Sequence, residues 1–283
     1  MEHDARTFLY GIIGHPAINS LSPGMHNAAF RSLGLNAVYL AFDTMDLEGA
    51  MRGARALGIR GMSITIPYKG RVIPLLDEIH PDALAAGAVN TVFNDNGRLK
   101  GMNTDITGSV AALRRITGPQ GKRALIIGAG GAARAAALGL IKEGTEVFLM
   151  NRNSRKAEEA ARSLGANFLE NLEQTDLRFH IIINATPAAI GQEGSSLCVP
   201  DRFLKKGVAV MDMVYRPAIT PFLAHARKRG CLIISGLSML FHQGVEQFRI
   251  WTGLEPPLEI MAGALCHYKS IVLPGKISGA PCE

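Results

Sequence analysis

The stretch LIIGAGGAARAAAL, Leu125–Leu138, decides the architecture of this chain. Three aliphatic residues run into a glycine-rich turn, and an alanine-rich segment follows at once. The spacing G-x-G-x-x-A falls on Gly128, Gly130 and Ala133. In such a turn the first glycine allows the chain to reverse. The second lets backbone N–H groups approach a pyrophosphate, and the third small residue lets the helix pack on its strand. The helix N-terminus then favours the negative charge. A glycine pattern alone also fits a bare strand-to-helix turn. The strand before it and the helix after it favour a dinucleotide.

Downstream the pattern continues. TEVFLMN (145–151) reads as a strand and SRKAEEAARSLG (154–165) as a helix. FHIIINATP (179–187) and GVAVMDMVY (207–215) read as strands of a parallel sheet buried on both faces. A carboxylate about 20 residues after the glycines would hold a ribose 2′-hydroxyl. Here MNRNSRK (150–156) supplies Asn151, Arg152, Asn153, Arg155 and Lys156, and no acid. An arginine there can stack on adenine and meet a 2′-phosphate. Helix N-termini favour acids, so these cations have little structural reason to be there. The expected cofactor is NADP rather than NAD.

Upstream, FLYGIIG, NAVYLAFD and GMSITIP read as strands, and GMHNAAFRSLGL and LEGAMRGARALG as helices. Asn96-Gly97 marks a hairpin within AVNTVFNDNGRLKGMNTD. After Gly236 the chain reads as helical through LSMLFHQGVEQFRIWTG, and again from about Pro257 to Lys269. The tail SIVLPGKISGAPCE has no useful period and reads as loose. The expected fold is α/β in two domains. Residues 1–104 and 241–283 form a substrate-binding and catalytic domain with a mixed sheet. Residues 105–240 form a Rossmann dinucleotide-binding domain, and the C-terminal helices pack back on the first domain.

The bulk properties narrow the function class. A chain of 283 residues, 47% hydrophobic and 19% charged, suits two globular domains rather than disorder. No apolar run approaches the roughly 20 residues of a membrane span, and the N-terminus lacks a secretory pattern. A cytoplasmic protein without membrane contact is expected. The cysteines Cys198, Cys231, Cys266 and Cys282 are scattered and no histidines cluster, which argues against disulfides and a bound metal. The net charge of +6 is spread along the chain, so anionic metabolites are favoured over nucleic acid.

Several polar residues in the first domain lack an obvious structural task. SLSP sets Ser20 and Ser22 on one side of an extended segment. Thr65 precedes Lys69 in ITIPYK, Asn90 and Thr91 interrupt an apolar run, and Asn103 and Asp105 stand at the domain junction. Each also has an ordinary reading, as a helix cap or a turn residue.

Together, SLSPGMHNAAF, ITIPYK, GAVNT, NTD, GAGGAARA, NRNSRKAEE, INATP, DMVYRP and GLSMLFHQGVEQFRIWTG resemble the shikimate dehydrogenases and their quinate/shikimate relatives, in order from about residue 10 to 253. The resemblance implies that shikimate is bound by the N-terminal domain and NADP by the Rossmann domain. The cleft between them would align the C3 hydroxyl with the nicotinamide. Ser20, Ser22 and Tyr215 would hold the carboxylate, and Thr65, Asn90 and Gln243 the other polar groups. Lys69 and Asp105 would contact the reacting hydroxyl. Gly128, Ala129, Gly130, Gly131 and Ala132 would cradle the pyrophosphate, Asn151, Arg152, Asn153 and Arg155 the adenosine phosphate, and Thr186, Met213 and Gly236 would line the nicotinamide pocket.

The chemistry asks for such a pair. Oxidising a secondary alcohol releases a hydride to the nicotinamide and a proton to some other acceptor. Burial lowers a lysine's pKa toward a useful range while a nearby carboxylate opposes that fall, so which of Lys69 and Asp105 carries the proton stays open. Three positions depart from the family pattern: Ser63 stands where asparagine is common, Ile106 replaces a glycine, and AAIGQEG follows NATP. Alternatives are a quinate/shikimate dehydrogenase accepting NAD and a non-catalytic dinucleotide-binding sensor. The expected state is a monomer or homodimer. No histidine is assigned a role, and Cys231 reads as core.

Overall fold

The computed structural model describes residues 3–173, 175–186 and 199–265. The end of the last expected helix, the tail, the AAIGQEG segment, Cys198, Cys266 and Cys282 lie outside the described residues. The chain divides into two compact units. One comprises residues through Thr104 together with a segment from Gln243, and the other spans Asp105–His242.

The first unit is built on a six-stranded mixed sheet in the order β2-β1-β3-β5-β6-β4. Its strands are β1 (Phe8–Gly14), β2 (Ala37–Asp43), β3 (Gly61–Ile64), β4 (Glu78–Ile79), β5 (Thr91–Asp95) and β6 (Arg98–Met102). β1 lies parallel to both β2 and β3, while β5 runs antiparallel to β3 and β6. The β5–β6 hairpin turns on Asn96 and Gly97, both at positive φ (51° and 91°), as a two-residue turn with matching twist requires. Helices α1 (Ser22–Ser32), α2 (Leu47–Ala56) and α3 (Pro81–Ala86) accompany the sheet. Met51 and Ala54 of α2 share a core with Met62 and Ile64 of β3 and with Val92 and Leu99 of the hairpin.

The second unit carries a six-stranded, all-parallel sheet, β12-β11-β10-β7-β8-β9. Its strands are β7 (Arg123–Ile127), β8 (Glu146–Met150), β9 (Asn167–Phe168), β10 (Ile181–Asn184), β11 (Ala209–Asp212) and β12 (Leu232–Ser235), with helices α4 (Asp105–Arg114), α5 (Gly131–Lys142), α6 (Ser154–Leu164) and α7 (Pro221–Lys228). The order reverses at β7, which is the doubly wound dinucleotide-binding topology. Side chains alternate between two cores, one holding Ala124, Ile126, Ile181 and Ile183, the other Leu125, Ile127, Ile182 and Val210. That double burial explains why these strands read as unbroken apolar runs.

Helix α8 (Gly236–Thr252) leads into α9 (Leu258–Leu265), which packs against α1. The expected return of the last helices to the first unit is thus borne out, as is the two-part α/β fold. Among the described residues no helix is long and apolar enough to cross a membrane, and no group of three metal-binding side chains occurs.

Ile106, a departure from the family pattern, has a packing reason. It is buried in α4. A Cβ on Gly139 of α5 would lie 2.7 Å from its carbonyl oxygen, so α4 and α5 approach as closely as a glycine permits. Cys231 is buried in the second core, beside Phe222 and Leu223.

Candidate active site

In the second unit, the turn after β7 begins at Gly128, whose φ of +134° is open to glycine but strained for other residues. A Cβ there would meet the carbonyl oxygen of Ala185 at 3.0 Å. Gly130 is the N-cap of α5 and supplies no side-chain cap, and the first turn of α5 holds no acid. Its leading N–H groups are therefore presented to a ligand rather than to a side chain. Gly131 and Ala132 open the helix, and its small residues Ala133, Ala136 and Ala137 pack against the sheet. This cradle fits a pyrophosphate.

β8 ends at Met150, and Asn151, Arg152 and Asn153 lead into α6. The first turn of α6 is likewise free of acids. Arg152 is exposed and makes no ion pair or hydrogen bond with the described residues. Asn153 caps α6, its Oδ1 accepting from the N–H of Lys156 at 3.1 Å. Arg155 pairs with Glu159 at 2.8 Å on the exposed helix face. Asn151 Nδ2 donates to the Asn153 carbonyl at 3.4 Å, so three of the four residues expected around the adenosine phosphate have structural partners, and Arg152 is the cation most available to an anion.

The C-terminal ends of β10, β11 and β12 carry Thr186, Met213 and Gly236. Asn184 joins the first two. Its Oδ1 accepts from the Thr186 backbone at 3.0 Å and from the Thr186 hydroxyl at 2.7 Å, and its carbonyl accepts from Met213 N at 2.9 Å. Asn184 Nδ2 donates to Asp212 at 2.9 Å, and the hydroxyl of Thr220 donates to the same carboxylate at 2.6 Å. Burial pushes the Asp212 pKa upward, against the opposing pull of those bonds. A Cβ on Gly236 would stand 2.5 Å from the carbonyl of Met213, so only glycine allows this approach. Asn184, Asp212 and Thr220 were not among the expected site residues. The visible signal was polar residues closing otherwise apolar strands. Tyr215 lies half-buried beyond β11.

In the first unit, Ser20 and Ser22 do not lie on an extended segment. Leu21 is already in the helical region (φ −88°, ψ −10°) and Ser22 is the first residue of α1. The N–H of Ser22 donates to Ser20 Oγ at 3.2 Å, so the two serines are joined by a turn. Pro23, in the first turn of the helix, fixes that start.

Thr65 follows β3, its N–H bonded to Ile13 O at 2.9 Å. Tyr68 is buried and donates to Thr44 O at 2.6 Å, anchoring the turn. Lys69 comes next and is half-buried, its carbonyl accepting from Val89 N at 2.8 Å. Lys69 belongs to the first unit, and Asp105, 4% exposed, opens the second as the first residue of α4.

Asn90 is 2% exposed. Its Oδ1 accepts from Thr104 N and Thr91 Oγ1, both at 2.7 Å. Its Nδ2 donates to Thr104 Oγ1 at 3.0 Å and to Gln243 Oε1 at 3.3 Å. The structure therefore joins two of the expected substrate ligands directly. His26 takes no part in these bonds. It is fully buried, stacked on Tyr39 with centroids 4.6 Å apart, and burial holds its pKa down to about 3. Gln247 approaches it without closing a hydrogen bond, and offsets the burial only in part.

Three family models match the chain: the shikimate dehydrogenase substrate binding domain over residues 12–92, shikimate / quinate 5-dehydrogenase over 111–192, and the shikimate 5′-dehydrogenase C-terminal domain over 236–266. A protein of Thermococcus kodakarensis named shikimate dehydrogenase (NADP(+)) is 46% identical over 266 residues, covering 92% of this chain and 97% of that one. Among solved structures, shikimate dehydrogenase from Aquifex aeolicus superposes with a TM-score of 0.89 at 37% identity, covering 93% of this chain and 99% of that one. Shikimate 5-dehydrogenase from Thermus thermophilus, in complex with NADP(H) and shikimate, superposes with a TM-score of 0.85 at 36% identity, covering 93% and 100%.

Proposed function

Since this chain belongs to the shikimate dehydrogenase family, we propose that it interconverts shikimate and 3-dehydroshikimate with NADP as the hydride carrier. It is an oxidoreductase acting on a secondary alcohol. The observation that carries this reading is the 46% identity, over nearly the whole length of both chains, to a protein named for the NADP-dependent activity.

The residues divide the work as follows. When bound, NADP supplies the hydride acceptor for alcohol oxidation and the donor for ketone reduction. Gly128, Ala129, Gly130, Gly131 and Ala132 receive the pyrophosphate on backbone N–H groups. Arg152 meets the 2′-phosphate with a full positive charge, assisted by Asn151, Asn153 and Arg155. Thr186, Met213 and Gly236 shape the nicotinamide wall, held by Asn184 and Asp212. Ser20, Ser22 and Tyr215 hold the substrate carboxylate, and Thr65, Asn90 and Gln243 the ring hydroxyls. Lys69 exchanges the proton of the reacting hydroxyl, with Asp105 as the second member of the proton pair.

The test is direct. Purified protein is mixed with shikimate and either NADP+ or NAD+, and reduced nicotinamide is followed by absorbance, with quinate as the competing alcohol. The expected result is turnover of shikimate with NADP+. Absence of reduced nucleotide with shikimate would overturn the reading.

A further inference from the structure

Behind Asn90 and Gln243, inside the first unit, lies a line of buried side chains that bond head to tail. Tyr39 Oη donates to Ser63 Oγ at 2.6 Å, and Ser63 Oγ donates to Gln247 Oε1 at 2.9 Å. Gln247 Nε2 donates to Thr91 Oγ1 at 3.0 Å and to the Asn90 carbonyl at 3.2 Å. Thr91 Oγ1 then donates to Asn90 Oδ1, and Asn90 Nδ2 to Gln243 Oε1. Tyr39, Thr91 and Gln247 are fully inaccessible and Ser63 is 5% exposed.

The order of donors is forced by chemistry. Burial raises the pKa of the Tyr39 phenol well above its usual value, against weaker pulls from Ser63 and Ser22, so it stays a donor. Having accepted from Tyr39, Ser63 has its own proton for Gln247, which fixes that carboxamide with its oxygen toward Ser63 and its NH2 toward Thr91 and Asn90. Thr91 receives one of those protons and passes its own to Asn90 Oδ1. Asn90 Oδ1 also accepts from the Thr104 backbone N–H at 2.7 Å, and with both donors on its oxygen Asn90 presents its NH2 toward Gln243. Reversing one amide would set two donors or two acceptors face to face, which is costly in a dry interior.

We propose that Tyr39, Ser63, Gln247 and Thr91 are positioning residues that, together with the Thr104 backbone N–H, hold the orientation of the Asn90 and Gln243 carboxamides toward the substrate. Gln247 stands four residues after Gln243, on the same face of α8. Its polar atoms are engaged by protein, so it acts through Asn90 rather than on the ligand. The inference rests on the reading that Asn90 and Gln243 bind shikimate.

Wild-type turnover of shikimate is measured first; its absence overturns the functional reading and this inference together. Tyr39→Phe, Gln247→Met and the double variant are then compared for KM of shikimate, KM of NADP+, kcat and melting temperature. The expected result is a KM for shikimate raised about tenfold in Gln247→Met and several-fold in Tyr39→Phe, the scale of one lost hydrogen bond. KM for NADP+ should stay within about twofold, because every residue of the line belongs to the first unit and the residues proposed to bind the nucleotide belong to the second. The double variant should cost no more than Gln247→Met alone, since a line already cut transmits nothing from its head. A merely structural role predicts a lowered melting temperature with an unmoved KM for shikimate, and that outcome, or additive losses, overturns the inference alone. Should Gln247→Met fail to fold, Tyr39→Phe, which removes one oxygen from a ring that stays packed, decides by the same KM comparison.

Discussion

Asn90 Nδ2 lies 3.3 Å from Gln243 Oε1, although 153 positions separate the two residues in the chain. Asn90 comes just before β5, at the centre of the mixed sheet, and Gln243 from α8, so the contact ties that helix to the sheet of the first unit. Replacing Asn90 by Ala removes the acceptor used by Thr104 and Thr91 and the donor used by Gln243. We predict a loss of about 1–3 kcal/mol in unfolding free energy, the cost of breaking a buried polar cluster, with weakened shikimate binding. Denaturant unfolding checks the first part, and an unchanged midpoint would show that the cluster contributes nothing.

Lys69 follows a turn anchored by Tyr68 on Thr44. Lys69→Ala is predicted to lower kcat by about 10²–10⁴ while leaving NADP affinity near the native value, since the task proposed for the lysine is proton exchange. Single-turnover kinetics with shikimate test this. Native kcat would remove Lys69 from the mechanism.

Arg152 is the exposed cation between β8 and α6 that has no protein partner among the described residues. Arg152→Asp should weaken NADP by about 10- to 100-fold, the loss of one charge-assisted contact plus new repulsion, and should affect NAD far less. Binding titrations with both nucleotides decide. Equal losses would place the 2′-phosphate elsewhere.

Gly128 combines a φ of +134° with the Ala185 carbonyl 3.0 Å from where a Cβ would stand. Gly128→Ala should therefore cost about 1–3 kcal/mol of stability from backbone strain and weaken NADP binding by displacing the turn. Thermal unfolding with and without NADP reads both effects, and a variant with native values would show that the turn accommodates a methyl group.

His26 makes the stability depend on pH with a definite sign. Its folded pKa, about 3, lies below the ordinary value of 6.5, so the folded protein resists its protonation. The corresponding stability is complete above pH 6.5 and is lost as the pH falls toward 3, at up to roughly 1.4 kcal/mol per pH unit. His242, lowered to about 4 by burial and then by Arg115, adds a slope of the same sign. His26→Phe, which keeps a ring against Tyr39, should flatten the acid limb of the stability curve. An identical limb in the variant would mean that other groups set it.

The amino-acid sequence by itself determined the α/β class, the parallel sheet and the glycine turn after β7, and pointed to NADP as the expected cofactor, because each is read locally. Strand and helix periods, a glycine spacing and the lack of an acid after β8 are read within a few residues. Two features were decided only by tertiary structure. Ser20 and Ser22 are set by a turn into α1, since Leu21 takes a helical conformation that an S-L-S-P string does not announce. The line from Tyr39 through Ser63 and Gln247 to Asn90 joins residues up to 184 positions apart. Each of them has an ordinary reading where it stands in the chain. Their shared donor order exists only because the sheet and α8 bring them together in a dry interior, where an unmatched donor or acceptor is too costly to persist.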